Sequence, residues 1–208
     1  MAAVLGVRQQ RVQFFYDTDF AVVGAVTSGN DLAASEKQLF ANAQPGNSIR
    51  TNMPTPGFLA GDQTFLTFAV RHEINFWGGV TTSAGASVLP LTTATVAITT
   101  INFSTFQFVV GDKPEFEGPV SMTPAGGGPW GFISDSAQVL ITNGEPQTKA
   151  IYVLPLPIAI AKRQQIRVTE KKPSSITTGY NFLDAINNYT GAKLFRCYLD
   201  GFNTRDVQ

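Results

Sequence analysis

The chain carries a single histidine, His72, in "FAVRHEINF" between Arg71 and Glu73. An imidazole beside a guanidinium and a carboxylate is raw material for general acid–base or nucleophilic catalysis. A Ser–His–Asp arrangement would have to use His72, yet the sequence holds no G-x-S-x-G elbow. A Cys–His couple would need the only cysteine, Cys197, brought beside His72 from far along the chain. One histidine is also too few for the multi-histidine metal centres of cupin-type enzymes, and one cysteine excludes a multi-cysteine zinc site and any internal disulfide.

The carboxylates offer two further candidates. Asp17 and Asp19 in "YDTDF" could bind calcium together with backbone carbonyls, or simply form a solvated turn. Glu115 and Glu117 in "DKPEFEGP" share one side of an extended segment, but that spacing alone does not make a glycosidase pair. "GGGPWG" lacks the GK[ST] of a phosphate-binding loop, so it reads as a surface loop. The N-x-[ST] matches at Asn102 and Asn188 carry no weight without a secretion signal. No cofactor is expected.

One charge cluster stands out. "KRQQIRVTEKK" places Lys162, Arg163, Arg167, Lys171 and Lys172 against Glu170. Such a run can touch a nucleic-acid backbone or an anionic membrane. It also fits a solvated strand face with a basic turn, and no aromatics are interleaved for base stacking.

The elements that must position these residues read as strands. Counting by twos, Leu66, Phe68, Val70, His72, Ile74 and Phe76 share one face, and Thr67, Arg71, Glu73 and Asn75 lie mostly on the other. This places His72 on an apolar face and turns Arg71 and Glu73 away from it. In "YVLPLPIAIAKRQQIRVTEKKP", Leu154, Leu156, Ile158, Ile160, Ile166 and Val168 align opposite Arg163, Gln165, Arg167 and Thr169. Pro155 and Pro157 remove two N–H groups on the same side, which marks an edge or a strand end.

Further strands are expected at Arg11–Tyr16, Phe20–Val26, Thr93–Phe103, Thr105–Val110, Ala137–Thr142 and Lys193–Leu199. Apolar parity shifts between Phe103 and Phe106, predicting a bulge or bend near Ser104. In the last strand Cys197 shares a face with Phe195 and Leu199, so it reads as a small core residue. Two short helices are expected, one in "NDLAASEKQLFANAQPG" after a capping Asn30 or Asp31, one between Asn181 and Tyr189. The sum is all-β: one domain over residues 1–208, a β-sandwich of about eight strands with one or two short helices in loops.

Charged residues make up 14% of the 208, and 15 basic residues balance 15 acidic ones. Typical soluble domains carry about 25%. Low charge removes the repulsion that keeps copies apart, and depletion of charge is a trait of interfaces. Few apolar residues precede Arg8 and Arg11, so neither a signal-peptide core nor a membrane span is expected there.

Phenylalanine-rich strands, a proline-marked edge and low charge together resemble a small viral jelly-roll coat protein. The similarity is greatest to capsid proteins of tailless icosahedral bacteriophages. It is carried by "QTFLTFAVRHEINFW", "TINFSTFQFVVGDKPEFEGPVSM", "YVLPLPIAIAKRQQIRV" and "KLFRCYLDGFNTRDVQ". It spans the whole chain as a pattern, with no diagnostic motif, and the length suits a single jelly roll. The resemblance implies a non-enzymatic virion subunit, made in the host cytoplasm, whose partners are copies of itself and other virion proteins. Genome or an internal membrane would be met through the weak basic patch. The competing expectation is a phage tail, receptor-binding or lectin-like module in which aromatics such as Trp77 or Trp130 stack on sugars. An enzyme would hinge on His72.

Overall fold

The computed structural model describes residues 8–21, 36–41, 43, 46, 48, 50–59, 61, 63–77, 101–125, 130–133, 139–142, 151–171, 175–177, 180–181 and 192–206. Valine, isoleucine, threonine and phenylalanine in alternating runs make strands of most of it. In chain order these are β1 (Arg8–Ala21), β2 (Glu36–Leu39), β3 (Thr64–Trp77), β4 (Thr105–Val110), β5 (Lys113–Pro119), β6 (Trp130–Ile133), β7 (Val139–Thr142), β8 (Val153–Ile160), β9 (Ile166–Lys171), β10 (Ser175–Thr177), β11 (Tyr180–Asn181) and β12 (Ala192–Asp206).

Two antiparallel sheets dominate. One runs β1-β12-β3, with β8 and β7-β6 both added on the far side of β3; the other runs β2-β9-β4-β5. Eight strands form four nested pairs, β1 with β12, β2 with β9, β3 with β8 and β4 with β5. The first strand pairs with the last, and each later pair lies inside the one before. That is a long hairpin rolled up on itself, the connectivity of a jelly roll, so the expected all-β sandwich is observed. The sheets enclose one buried cluster, with Phe15, Val70, Ile74 and Phe195 from the first and Leu39, Phe106, Phe108 and Val168 from the second.

Alternation holds along β3 only in two pieces. Phe65 and Thr67 are buried, then Val70, His72 and Ile74; Leu66 is exposed and Phe68 half-exposed. The inward parity switches because β3 carries one extra residue there: Ala69 pairs with Asp200, but Thr67 pairs with Gly201. A bulge of this kind re-aims every side chain beyond it. The Thr67 hydroxyl donates to the Asp200 carbonyl at 2.9 Å and pins the irregularity. Gly201 is needed opposite it, since a Cβ there would lie 2.3 Å from the Leu66 carbonyl oxygen and 2.5 Å from Phe65 Cζ.

Leu66 and Phe68 therefore do not extend the face of Val70, His72 and Ile74 as simple counting has it. The same correction applies to β8. Leu156 is 80% exposed, because Thr67 pairs with Ile158 while Ala69 pairs with Val153. The intervening Leu154–Pro157 segment, with both prolines, bulges from the ladder. Among the described residues β8 pairs with β3 alone, so the proline signal for an edge strand holds.

Other expectations need adjusting. Within "NDLAASEKQLFANAQPG" the helix is replaced by strand β2, since Glu36–Leu39 pair with β9; residues 30–35 lie outside the described residues. Phe40 follows with φ 65, a costly conformation for a bulky residue, and its N–H donates to buried Asp17 Oδ2 at 2.7 Å. Tyr180–Asn181 pair as a strand, and 182–190 lie outside the described residues. Residues 101–103 form a helical turn rather than the end of a strand, so the parity break at Ser104 is a bend. Most of the expected Thr93–Phe103 strand is outside the described residues. Arg11–Tyr16 belongs to one continuous strand reaching Ala21, Val139–Thr142 is strand, and the last strand extends to Asp206.

Candidate functional site

His72 sits mid-strand in β3, fully buried, facing the second sheet. Its ring packs 4.5 Å from that of Phe106 on β4. Its Nδ1 is 2.7 Å from Thr123 Oγ1. The Thr123 hydroxyl also lies 3.3 Å from the Val120 carbonyl, which can accept from it, and the direction of the Nδ1–Oγ1 bond is set by the ring tautomer. Nε2 faces Glu170 on β9, with Oε1 at 3.7 Å and both side chains at 0% exposure.

Backbone pairing holds this arrangement. His72 N–H donates to Thr123 O (2.7 Å), and Ala125 N–H donates to His72 O (2.9 Å). Residues 123–125 thus fill the gap along β3 between its β8 and β7 partners. Burial pushes the His72 imidazole down to about 3, so the ring is neutral at pH 7.

Arg71 and Glu73 point the other way, as alternation requires. Arg71 grips Asp200 through Nε–Oδ2 (2.5 Å) and Nη2–Oδ1 (2.9 Å). Burial disfavours its charge, but the bonds and attraction of Asp200 outweigh this and hold the guanidinium above its ordinary value. Glu73 Oε2 accepts from the Tyr198 hydroxyl (2.6 Å) and from Arg196 (3.4 Å). The Arg71 guanidinium lies 4.7 Å over the Tyr198 ring. Burial, reinforced by Glu73, raises the Tyr198 phenol above its usual range and keeps it protonated.

Cys197 does stand directly opposite His72 in the β12–β3 ladder. It is fully buried, and burial followed by the nearby Glu170, Asp17 and Asp200 carboxylates pushes its thiol well above the ordinary value. A protonated thiol beside a neutral ring is a packing pair; neither is open to solvent, and a substrate would have to part the sheets to reach them.

The remaining candidates are dispersed. Lys162 and Arg163 lie exposed in the turn between β8 and β9, Arg167 is half-buried on β9, and Lys171 is exposed at the strand's far end opposite Glu36. At about 3.3 Å per residue, Arg167 and Lys171 are about 13 Å apart. Lys172 lies outside the described residues. Asp17 is buried as the acceptor for Phe40, and the Asp19 side chain is outside the described residues. Glu115 bonds Lys113 and Glu117 bonds Gln107. Among the described residues no three His, Cys, Asp or Glu side chains gather as metal ligands. Trp77 and Trp130 are in strands, with side chains outside the described residues, as are residues 126–129 of the glycine-rich loop.

Counting residues one by one along the strands overlooks Thr123 and Glu170. A signal existed for Glu170: by twos from Ile166 and Val168 it falls on the inward face. Thr123 is in no strand and has no such signal. No protein-family model, curated protein or solved structure matches the chain.

Proposed function

We propose that this chain is a viral structural protein, a capsid subunit that assembles with copies of itself into an icosahedral shell. The observation that carries the reading is the nested β1/β12, β2/β9, β3/β8, β4/β5 pairing of a jelly roll built from a chain with 14% charged residues and formal net charge +0. A rigid two-sheet body with little electrostatic self-repulsion is suited to close packing against its own copies. The buried His72–Thr123–Glu170 set then serves to lock the sheets together, and no cofactor is required. Other virion proteins are expected partners, with genome or membrane contacts through Lys162, Arg163 and Lys171.

Negative-stain imaging of the purified full chain over a range of concentration and salt tests the reading. Closed, uniform particles are the expected outcome. A chain that stays monomeric throughout overturns it.

A second reading, a glycan-binding module of the tail or lectin type, draws on Phe14, which is 52% exposed beside Tyr16 and Tyr198 on the outer face of the first sheet. Saturable glycan-array binding by a discrete oligomer would favour it over the shell.

A further inference from the structure

The sheet containing β1, β12, β3 and β8 has an outer face whose composition changes row by row. Ladder partners lie on the same face, so register defines the rows. Val12 pairs with Phe202, Phe202 with Leu66, and Leu66 with Ala159. All four are exposed, Val12 at 75%. An unbroken apolar row thus crosses all four strands, where alternation in a half-solvated sheet should place polar residues. Phe14 lies next to Val12 on the outer face of β1, and Phe68 packs its ring 5.6 Å from that of Phe202. Contiguous exposed apolar surface of this kind marks an interaction site.

The charges on the same face favour a second copy over a polyanion. Arg71 is paired with Asp200 and Arg196 with Glu73. Two cations and two anions neutralise one another within the face. A polyanion finds no uncompensated positive charge in those rows, and a second copy of the face meets no repulsion there.

We propose that this outer face is where a second copy of the chain docks, sheet against sheet, burying the Val12–Phe202–Leu66–Ala159 row of each copy in an isologous contact. The inference deepens the capsid reading and rests on it for the assembly in which the contact is used. The bulge at Phe68 is part of the device, because it turns Leu66 outward while keeping His72 inward.

Sedimentation velocity of the full chain tests it, comparing the parent with Val12→Glu, which buries an unpaired carboxylate if the face docks. Leu66→Gln probes the same row two strands away. Phe103→Ser removes an exposed aromatic from the helical turn before β4 and serves as the control. The expected result is that Val12→Glu and Leu66→Gln each weaken dimer formation by about tenfold or more, equivalent to ~1.4 kcal/mol, while Phe103→Ser matches the parent. Row variants that match the parent overturn the inference, as does an equal loss in the control. A monomeric parent that binds phosphatidylglycerol vesicles through Val12 assigns the face to a membrane and also overturns it. Electron microscopy of the same samples separates the two readings. Val12-sensitive dimers without shells leave the docking face standing and remove the capsid; shells unaffected by Val12→Glu do the reverse.

Discussion

The imidazole of His72 and the carboxyl of Glu170 face each other at 3.7 Å across the two sheets, both fully buried. The histidine that looked available for chemistry is a bridge through the centre of the sandwich, with Thr123 on its other nitrogen.

This burial predicts acid lability. His72 titrates near 3 when folded and near 6.5 when unfolded. Between those values the unfolded chain binds the extra proton, so stability is complete above about pH 6.5 and falls as the pH drops toward 3. The lowered affinity corresponds to a loss on the order of 5 kcal/mol at the acid end. Chemical denaturation at stepped pH should show the decline begin well above the carboxylate range. In His72→Gln the segment between pH 6.5 and 4.5 should flatten; an unchanged slope would remove His72 as its source.

Thr123→Val keeps the shape of the side chain but deletes the hydrogen-bond partner of His72 Nδ1. A buried polar atom left without its partner costs about 1–3 kcal/mol. Equilibrium unfolding should resolve that loss, and Thr123→Ser should recover most of it.

Gly201→Ala should be among the most damaging small substitutions in β12. The added methyl meets the backbone carbonyl of Leu66, which cannot swing aside as a flexible side chain could. A cost of ~1–3 kcal/mol or more is expected, read as a lower melting temperature. A neutral outcome would show that the bulge at Phe68 can relax.

Cys197 should resist thiol reagents in the native chain, because its thiol is buried and held protonated. Ellman's reagent should report one reactive thiol only after denaturation. Fast native labelling would contradict the burial.

Much of the frame is legible from residue order. Thr105–Val110 is the strand that its β-branched and aromatic run indicates, with the same bounds. Alternation around His72 separates it from Arg71 and Glu73, and Pro155 with Pro157 marks β8 as an edge. Parity fails where the ladder is interrupted: one inserted residue at Phe68 in β3 puts Leu66 on the opposite face from Val70 and His72, and the Leu154–Pro157 bulge in β8 exposes Leu156 while Leu154 and Ile160 stay buried. The helix expected before Pro45 fails for a different reason. Near-helical spacing of Leu32, Leu39 and Phe40 is a local signal, and pairing of Glu36–Leu39 with β9 overrides it.

By itself, then, the amino-acid order determined the all-β class and the inward placement of His72 and Cys197, since these follow from residue types and a two-residue period. Only the tertiary structure decided that Cys197 stands opposite His72, that Thr123 and Glu170 complete its surroundings, and that Leu66 joins Val12 and Phe202 on an exposed row. Those relations depend on register between strands far apart in the chain, and register is settled by the mutual fit of the packed faces, which no local run of residues encodes.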